Sequence, residues 1–570
     1  MSKLFFYLLG LFSLISFIIS NTAFSDVPTK KPAQPLSTLS VSTALYHDVS
    51  LPLVDMKMTV PTSVKNHIVP LGRLPFYHSP VKNVMQRDTA IQTTLRLPLP
   101  VTPGVAMQGL GSGFVNADGT PYSVTSTPSD VNLDVGRNFI VQWVNTSFAV
   151  FDKAGRLLQG QIPGNTLWSG FPGRCATNND GDPIVKYDRL ANRWVMTQFV
   201  SSAPYRQCIA ISQTEDPRGA YNRYEFDFGN SFNDYGKLGV WPDAYYMSFN
   251  IFQNNNFAGG QACAFERDKM LVGDASARML CSALQTDSLL PADLDGTTLP
   301  PNGSPNYFAG FDRAGLPNPP DDFTGVKQNI NALSSIHIWK MQVNWSNVNL
   351  STFTGPTNIL VRPFNLLTGN CGEPDASQSG NCVPQKGTTD KLSVIDQDFM
   401  YRLAYRNFGN YQTLLLNHVV NAGDLVAGVR WYEIRIRDNY IDIYQQSTYT
   451  QPDGVSRWYA SIAMDKMGNI GLGYNASGSY MYPSVRYTGR VFMDQLNTMR
   501  SEKSIIEGFG SQLQPTSGTD KRNRWDDYTS LVVDPSDDCT FWYTAQYMRS
   551  TAESGNWSTY IGSFKFNNCR

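Results

Sequence analysis

The stretch Ile184-Val-Lys-Tyr-Asp188-Arg-Leu-Ala-Asn192-Arg-Trp-Val-Met196 contains the unit that decides the fold. Two short runs of apolar and aromatic residues flank a turn, and neither run shows the 3.6-residue period of a helix. An aspartate at such a turn can accept a hydrogen bond from the backbone two residues further on, and asparagine or glycine tolerates the left-handed conformation. The stretch therefore predicts a β-hairpin whose turn begins at Asp188.

The same hairpin unit recurs along the chain, with clear copies around Asp152, Asp465 and Asp534. One hairpin cannot bury its apolar face, whereas repetition around an axis buries it and limits the exposed strand edges. Propeller blades run about 40–50 residues, so the span 127–570 accommodates about seven of them. We therefore predict an all-β protein, a seven-bladed β-propeller, with a pair of β-sandwiches as the alternative. Residues 489–507 are the best candidate for a short helix.

The composition agrees with a turn-rich β protein. Among 570 residues, 16% are charged and 12% are aromatic, and the formal net charge is −1. Aromatic richness and low net charge exclude intrinsic disorder. The absence of a basic excess argues against a nucleic-acid partner, and the scarcity of Glu and Lys disfavours a long helical bundle.

The first 25 residues have the pattern of a secretory signal peptide. Lys3 precedes an apolar run over residues 4–20, and Ala23 and Ser25 place small residues three and one before a cut ahead of Asp26. An uncleaved anchor is the alternative, because the run is close to the shortest span of about 17 residues. After cleavage we expect no membrane insertion and a secreted, periplasmic or cell-surface location.

Residues 26–126 are rich in Pro, Ser, Thr and Val and predict an extended N-terminal arm rather than a separate domain. The propeller domain is then expected over residues 127–570. A strand-like run over residues 557–566 lies close to the C-terminus. Because propellers often complete their last blade with strands from both chain ends, this run is the expected closing strand.

The cysteines predict disulfide bonds, because an even number occurs in a chain with an export signal. Their spacing favours pairing between neighbours, each pair closing one short loop. A zinc site is disfavoured, since no CxxC occurs and no histidine lies at ligand spacing from a cysteine. The predicted pairs are Cys175–Cys208, Cys263–Cys281, Cys371–Cys382 and Cys539–Cys569.

Several longer motifs resemble those of a family of exported bacterial β-propeller proteins whose function is uncharacterised. The resemblance covers most of residues 127–570 and implies the same fold and export, but it implies no catalytic residues. The chain departs from the family pattern between Asp130 and Arg137, which weakens a cation loop there. The motifs are Gly181-Asp-Pro-Ile-Val-Lys-Tyr-Asp-Arg-Leu-Ala-Asn-Arg-Trp194, Gly239-Val-Trp-Pro-Asp243, Arg402-Leu-Ala-Tyr-Arg-Asn-Phe408, Gly428-Val-Arg-Trp-Tyr-Glu-Ile-Arg435, Arg457-Trp458 and Asp534-Pro-Ser-Asp-Asp-Cys-Thr-Phe-Trp-Tyr-Thr544.

Alternating oxygen-bearing side chains make structural Ca²⁺ the first chemical hypothesis. No glutamate follows at the twelfth position, so these stretches are not EF-hands. The competing interpretation is that they are turns in which the side chains bind only the backbone. The candidate ligands are Asp130, Asn132, Asp134, Asp180 and Asp182.

A polar cluster in the last three blades is the second hypothesis. Arginines around a tyrosine and carboxylates suit an anionic sugar, because Arg clamps a carboxylate bidentately and an acid/base pair cleaves a glycosidic bond. Strand alternation places Arg430 on one face and both Glu433 and Arg435 on the other. The sialidase Asp-box pattern is not met, and Arg–carboxylate pairs that tie blades together are the simpler interpretation. The candidates are Arg430, Glu433, Arg435, Asp465, Tyr487, Arg490, Asp526 and Asp527.

The chain contains none of the motifs HExxH, GxSxG, P-loop or helix-opening GxGxxG. His418 lies in an apolar strand and is expected to be a hydrogen-bonded core residue. We expect a monomeric binding protein that presents a propeller face to a glycan or protein ligand, with no cofactor apart from the Ca²⁺ of the preceding hypothesis. The alternatives are a secreted glycan hydrolase with a sialidase-like site and a structural envelope component.

Overall fold

The computed structural model describes residues 39–58, 67–68, 88–94, 96–311, 335–367, 371, 380–395, 398–438, 440–515, 522–553 and 555–570. The expected signal peptide, residues 1–25, lies outside this part of the chain. Ser37–Arg570 forms one compact unit. Within the described residues strands dominate and one α-helix, Arg267–Val272, is found, which confirms the all-β prediction. None of the described helices is long and apolar enough to cross a membrane.

Seven groups of antiparallel strands follow one another along the chain, and each group is one propeller blade; two of these groups are joined in one eight-stranded sheet. The strands of a blade pair in chain order, from an inner strand outward. Blade 1 contains Asn132–Val135, Phe139–Val144, Ser147–Asp152 and Leu157–Pro163. Blade 2 contains Ile184–Asp188, Arg193–Val200, Tyr205–Ser212 and Tyr221–Gly229. Blade 3 contains Phe232–Val240, Tyr245–Gln253, Asn256–Phe265 and Arg278–Cys281.

The remaining blades repeat this order. Blade 4 contains Leu289–Asp295, Asn306–Phe311, Ser335–Gln342 and Thr352–Leu360. Blade 5 contains Leu403–Asn407, Gln412–Asn421, Ala427–Arg437 and Tyr440–Tyr449. Blade 6 contains Ser456–Met464, Ile470–Gly478, Met481–Arg490 and Lys503–Ile506. Blade 7 contains Ser530–Val533, Thr540–Tyr547 and Ser558–Phe566. The number of blades, seven, is the predicted number.

The segment expected to be an arm supplies strands to three blades. Val101–Gly111 pairs with Ser558–Phe566 as the outer strand of blade 7, so both ends of the chain complete that blade. Tyr46–Val49 adds a fifth strand to blade 2, and Ser40–Thr43 adds a fifth strand to blade 3. The blades therefore include strands that precede residue 127. These strands cover blade edges that would otherwise be exposed.

The inner strands form a closed ring around the propeller axis. Each inner strand contacts the inner strand of the next blade, and that of blade 7 contacts that of blade 1. Between blades 4 and 5 this contact is a parallel ladder that pairs Ala292 with Leu403. Side chains that point inward from seven blades consequently meet at the axis.

The hairpin turns have the predicted aspartate chemistry. The Asp188 Oδ1 accepts hydrogen bonds from the backbone N–H groups of Leu190 and Ala191, and Asn192 takes the left-handed conformation. The Asp152 Oδ1 accepts two backbone hydrogen bonds in the same way. These contacts satisfy donors that the turn would otherwise leave unpaired.

The helix expected over residues 489–507 is wrong. The third strand of blade 6 ends at Arg490, and the chain then returns as the strand Lys503–Ile506. The backbone N–H of Arg500 donates to the carbonyl of Gly489 at 2.8 Å, which fixes the return. This segment pairs with the edge of blade 6 instead of forming the helix that its apolar spacing suggested.

The remaining elements are short. The 3₁₀ helices are Leu53–Asp55, Gly164–Trp168, Arg174–Ala176 and Val348–Leu350. The two-stranded sheets pair Asn381–Val383 with Leu392–Ser393, His67–Ile68 with Ser126–Thr127, and Gln512–Leu513 with Ala552–Glu553. All four predicted disulfides are present: Cys175–Cys208, Cys263–Cys281, Cys371–Cys382 and Cys539–Cys569. Four disulfides are typical of a protein that folds in an oxidising compartment.

Aromatic side chains fill the spaces within and between blades. Trp143, Trp194 and Trp431 are fully buried. His418 is buried, and its Nε2 lies 2.9 Å from the Tyr432 hydroxyl. Burial lowers the pKa of His418 well below its usual value, and the Arg430 charge lowers it further. The expected core role of His418 is therefore confirmed.

Candidate functional site: an inter-blade recess and the propeller axis

The structure separates the eight predicted polar candidates instead of bringing them to one site. They occupy a recess between blades 5 and 6 (Glu433, Arg435 and Arg490), the propeller axis (Asp526 and Asp527) and three isolated positions (Arg430, Asp465 and Tyr487).

The recess lies where strands of blades 5 and 6 end next to each other. Blade 5 supplies two charged side chains from one strand face, as the predicted alternation requires. Blade 6 supplies the end of its third strand and the loop that follows. Its lining includes the side chains of Tyr411, Glu433, Arg435, Tyr444, Arg490 and Phe492.

Glu433 and Arg435 hold each other in place in the recess wall. The Arg435 Nε donates to the Glu433 Oε1 at 2.7 Å, and the Gln445 Nε2 donates to the other carboxylate oxygen at 2.5 Å. The Arg435 guanidinium lies 3.2 Å from the ring centre of Tyr444 and 4.1 Å from that of Tyr411. Both carboxylate oxygens of Glu433 are engaged, so this group is a fixed wall rather than a free base.

Arg490 brings a second guanidinium to the recess. The residue is 2% exposed, its Nη2 donates to the carbonyl of Asp494 at 2.7 Å, and its Nε has no acceptor. The Asp494 carboxylate is bound by Arg500 at 2.6 Å. Burial lowers the pKa of Arg490, although the charges of Glu433 and Asp494 oppose this. A buried cation with an unused donor is a site that an anion can complete.

Apolar side chains lie beside the recess. Phe492 and Leu496 line it while remaining 46% and 38% exposed. Met493, next in the same loop, is 85% exposed. A recess with a cationic floor and an apolar rim suits a ligand that carries both an acidic group and an apolar face.

Three candidates are occupied elsewhere. Arg430 pairs with Asp88 at 2.5 Å. Asp465 accepts backbone hydrogen bonds at its own turn, and burial raises its pKa to about 6. Tyr487 stacks on Phe564 with 4.1 Å between ring centres, and burial raises its pKa to about 12. These three residues stabilise the fold and do not contribute to the recess.

At the axis, a first group of charged side chains is fully paired; we call it the axial belt. Lys186 lies 2.7 Å from Asp134 and 2.8 Å from Asp293. Arg402 lies 2.7 Å from both Asp293 and Asp295. Burial alone would raise the pKa of Asp293, but the charges of Lys186 and Arg402 lower it to about 2. The axial belt comprises Asp134, Asp293, Asp295, Lys186, Arg189 and Arg402.

A second group at the axis is acidic; we call it the axial chamber. Burial raises the pKa of Asp526, as does the charge of Asp527. Arg524 donates to both carboxylate oxygens of Asp527 at 2.6 Å. The axial chamber comprises the carboxyl groups of Asp130, Asp182, Asp234, Asp398, Asp526 and Asp527 and the cations Lys237 and Arg524.

Some of the calcium candidates belong to the axial belt or the axial chamber, and the others make hydrogen bonds to backbone groups. The Asn132 side chain bonds the backbone of Pro183 and Val185, and Asp134 belongs to the axial belt. The Asp180 carboxylate accepts from the backbone of Ser201 at 2.8 Å. Among the described residues, no group of three or more His, Cys, Asp or Glu side chains is arranged to hold one metal ion. The structure thus gives the alternating stretches backbone-binding roles, while Asp130 and Asp182 lie in the axial chamber.

Comparison with known proteins adds limited information. No family model matches the chain, and no curated protein matches it. The WD40 domain of SCAP from fission yeast is 8% identical and covers 83% of this chain and 97% of its own, with a TM-score of 0.34. An ulvan lyase, a polysaccharide lyase, is 11% identical and covers 80% and 95%, with a TM-score of 0.36. The exo-β-1,3-galactanase 1,3Gal43A from Clostridium thermocellum is 10% identical and covers 78% and 92%, with a TM-score of 0.27.

These structural similarities carry no argument about function, because every TM-score is below 0.5. The seven blades, each of four or five strands, and the closed ring of inner strands establish the propeller. The resemblance of the sequence motifs to exported bacterial propellers stays a prediction.

Sequence reasoning missed several residues of both groups. Tyr411 and Tyr444 enclose Arg435, and neither was among the predicted candidates. Lys237, Asp398 and Arg524 were not singled out either, because no spacing pattern in the sequence links them to one another.

Proposed function

We propose that the protein is an exported binding protein whose recess between blades 5 and 6 receives the acidic group of a glycan. The observation that carries this proposal is Arg490, a buried guanidinium whose Nε has no acceptor in a recess that also contains Arg435. Among the described residues that line the recess, two guanidinium groups accompany one carboxylate, that of Glu433.

The proposal is binding rather than cleavage. Glycosidases require two carboxyl groups flanking the bond, about 5–10 Å apart. Among the described residues that line the recess, Glu433 is the one carboxylate, and both of its oxygens are already bound. Asp526 and Asp527 lie at the axis, away from the recess, and Asp527 is paired with Arg524.

An acidic glycan fits the recess better than a neutral one. The carboxylate or sulfate of the glycan would meet Arg490, and the C–H face of its ring would lie against Phe492 and Leu496. Export supports the same assignment, since the four disulfides suit an oxidising compartment where glycans of cell surfaces and matrices are found.

A glycan array with neutral, uronate-containing and sulfated oligosaccharides tests this proposal on the mature protein. Binding is expected for acidic members and is expected to fall about tenfold or more in Arg490→Met. Arg156→Met, in which an arginine with an 81% exposed side chain on blade 1 is changed, is the matched control. Equal binding of neutral glycans, or full binding by Arg490→Met, would contradict the proposal, and the appearance of new reducing ends would indicate an enzyme.

A further inference from the structure

One end of blade 6 presents exposed apolar side chains next to the recess. Met467 lies in the turn between the first and second strands of the blade, and Phe492 and Met493 lie in the loop that follows the third strand. These side chains belong to residues that are 47%, 46% and 85% exposed. Antiparallel strands alternate in direction, so this turn and this loop leave the blade at the same end. We call these three side chains the apolar tip.

Contacts between the turn and the loop make the apolar tip continuous with the recess. The Asn469 side chain accepts a hydrogen bond from the backbone N–H of Phe492 at 3.0 Å. A Cβ atom added at Gly468 would lie 2.9 Å from the Phe492 ring, so the ring lies directly on the backbone of the turn. Gly468 and Phe492 also line the recess. Met467 and Met493 are not among the lining residues, and they extend the apolar surface beyond the recess.

Hydrogen bonds and an ion pair fix the shape of the loop that carries Phe492 and Met493. The Asp494 carboxylate accepts from the backbone N–H of Val491 at 2.9 Å and from the Arg500 guanidinium at 2.8 and 2.6 Å. Arg500 also donates to the carbonyl of Pro98 at 3.0 Å, outside the loop. An exposed apolar patch on a fixed loop is typical of a contact surface.

The size of the apolar tip favours a lipid surface over a protein partner. A stable protein interface buries about 800 Å² on each partner, whereas the apolar tip consists of three side chains. A few apolar side chains are sufficient for contact with the interfacial layer of a bilayer, because the free energy of binding grows with the apolar area buried. Exposed charges of both signs lie nearby, Arg437, Asp438 and Lys466, so a negatively charged surface alone is not selected.

We propose that the ligand of the recess is an acidic glycolipid, whose sugar binds in the recess while the apolar tip contacts the surrounding lipid. This inference rests on the proposed function and specifies how the acidic glycan is carried. The acidic group meets Arg490, whose Nε has no acceptor, and the sugar ring lies against Phe492. Met467 and Met493 then lose their contact with water in the lipid, which a free glycan does not provide.

Co-sedimentation of the mature protein with lipid vesicles tests this inference. Phosphatidylcholine vesicles are prepared with glucuronosyl diacylglycerol, with its neutral counterpart glucosyl diacylglycerol, or with phosphatidylserine. Binding to the glucuronosyl vesicles is expected to be about tenfold or more tighter than binding to the other two. Arg490→Met is expected to abolish this preference, because it removes the cation that receives the acidic group.

A double variant, Met467→Ser with Met493→Ser, separates lipid contact from sugar binding. It is expected to bind the glucuronosyl vesicles about tenfold or more weakly, because both apolar contacts with lipid are lost. Its binding of a free glucuronate-containing oligosaccharide is expected to be unchanged, since neither methionine lines the recess. Phe509→Ser is the matched control: Phe509 is 64% exposed and follows the fourth strand, Lys503–Ile506, at the opposite end of blade 6.

The outcomes distinguish this inference from the proposed function. If the protein binds the free acidic oligosaccharide but not the glucuronosyl vesicles, the glycolipid inference is wrong and the proposed function stands. If it binds neither, both are wrong. Equal binding to phosphatidylserine vesicles, or full vesicle binding by the double variant, would also overturn the inference. A dimer in sedimentation velocity that the double variant lacks would assign the apolar tip to a second copy of the chain instead.

Discussion

The axial belt and the axial chamber lie on the same propeller axis and are similarly buried, but they shift the pKa of a buried aspartate in opposite directions. In the belt, three carboxylates meet three cations, and the pKa of Asp293 is lowered to about 2 because Lys186 and Arg402 overcome the effect of burial. In the chamber, carboxylates mostly meet one another, and burial together with like charges raises the pKa of Asp130. Burial alone thus does not decide whether an aspartate is charged; its partners do.

The largest effect is expected from Arg402→Met in the axial belt. Removing this cation leaves Asp293 and Asp295 buried with less compensation, which typically costs about 3–5 kcal/mol. Urea denaturation at pH 7 measures the loss. Arg156→Met should change the free energy of unfolding by no more than about 0.5 kcal/mol, and a similarly small change in Arg402→Met would remove the distinction between belt and chamber.

A pair of neutralising substitutions gives the next largest contrast. Asp293→Asn is expected to reduce the free energy of unfolding by about 2 kcal/mol at pH 7.5, because its charged form is strongly favoured in the folded state. Asp526→Asn should cost much less or be stabilising, since burial disfavours its charge. Both variants are compared by chemical denaturation, and equal losses would show that the two regions do not differ electrostatically.

The pH dependence of stability separates the two regions without a substitution. The chamber carboxyls have raised pKa values, so their contribution is present in acid and declines as the pH rises from mildly acid to alkaline values. Asp293 and Glu502 have pKa values of about 2, so their contribution is present above pH 4–5 and is lost as the pH falls towards 2. The free energy of unfolding is therefore expected to be highest in mild acid. A maximum at alkaline pH in a urea-denaturation series would contradict this expectation.

The smallest stability change is expected at the recess. Arg490 has no directly paired carboxylate, so Arg490→Met should change the free energy of unfolding by less than about 1 kcal/mol while abolishing binding of an acidic ligand. Thermal denaturation in parallel with the glycan array distinguishes these two effects. If Arg490→Met lost as much free energy of unfolding as Arg402→Met, Arg490 would be a structural residue like the arginines of the axial belt.

Local chemistry made much of the fold predictable. The aspartate turns after Val150-Phe151 and Lys186-Tyr187 specify hairpins by themselves, because each turn satisfies its own backbone donors. The cysteines pair with sequence neighbours for the same reason, since each pair closes one local loop. Strand alternation also placed Glu433 and Arg435 on one face.

The candidate sites were less predictable, because their members come from different blades. Arg490 meets Arg435 only because blades 5 and 6 are adjacent, and Asp130 meets Asp526 only because the first and last blades close the ring. The helix expected over residues 489–507 failed for a related reason: its apolar spacing is local, whereas the blade edge that it pairs with is not.

The sequence by itself determined the all-β architecture, the hairpin repeat and the disulfide pairing, because each depends on residues close together in the chain. The tertiary structure alone decided which carboxylates are paired with cations and which face one another. That choice depends on seven inner strands that meet at one axis, and the electrostatic state of a buried aspartate is set by neighbours that lie hundreds of residues away in sequence.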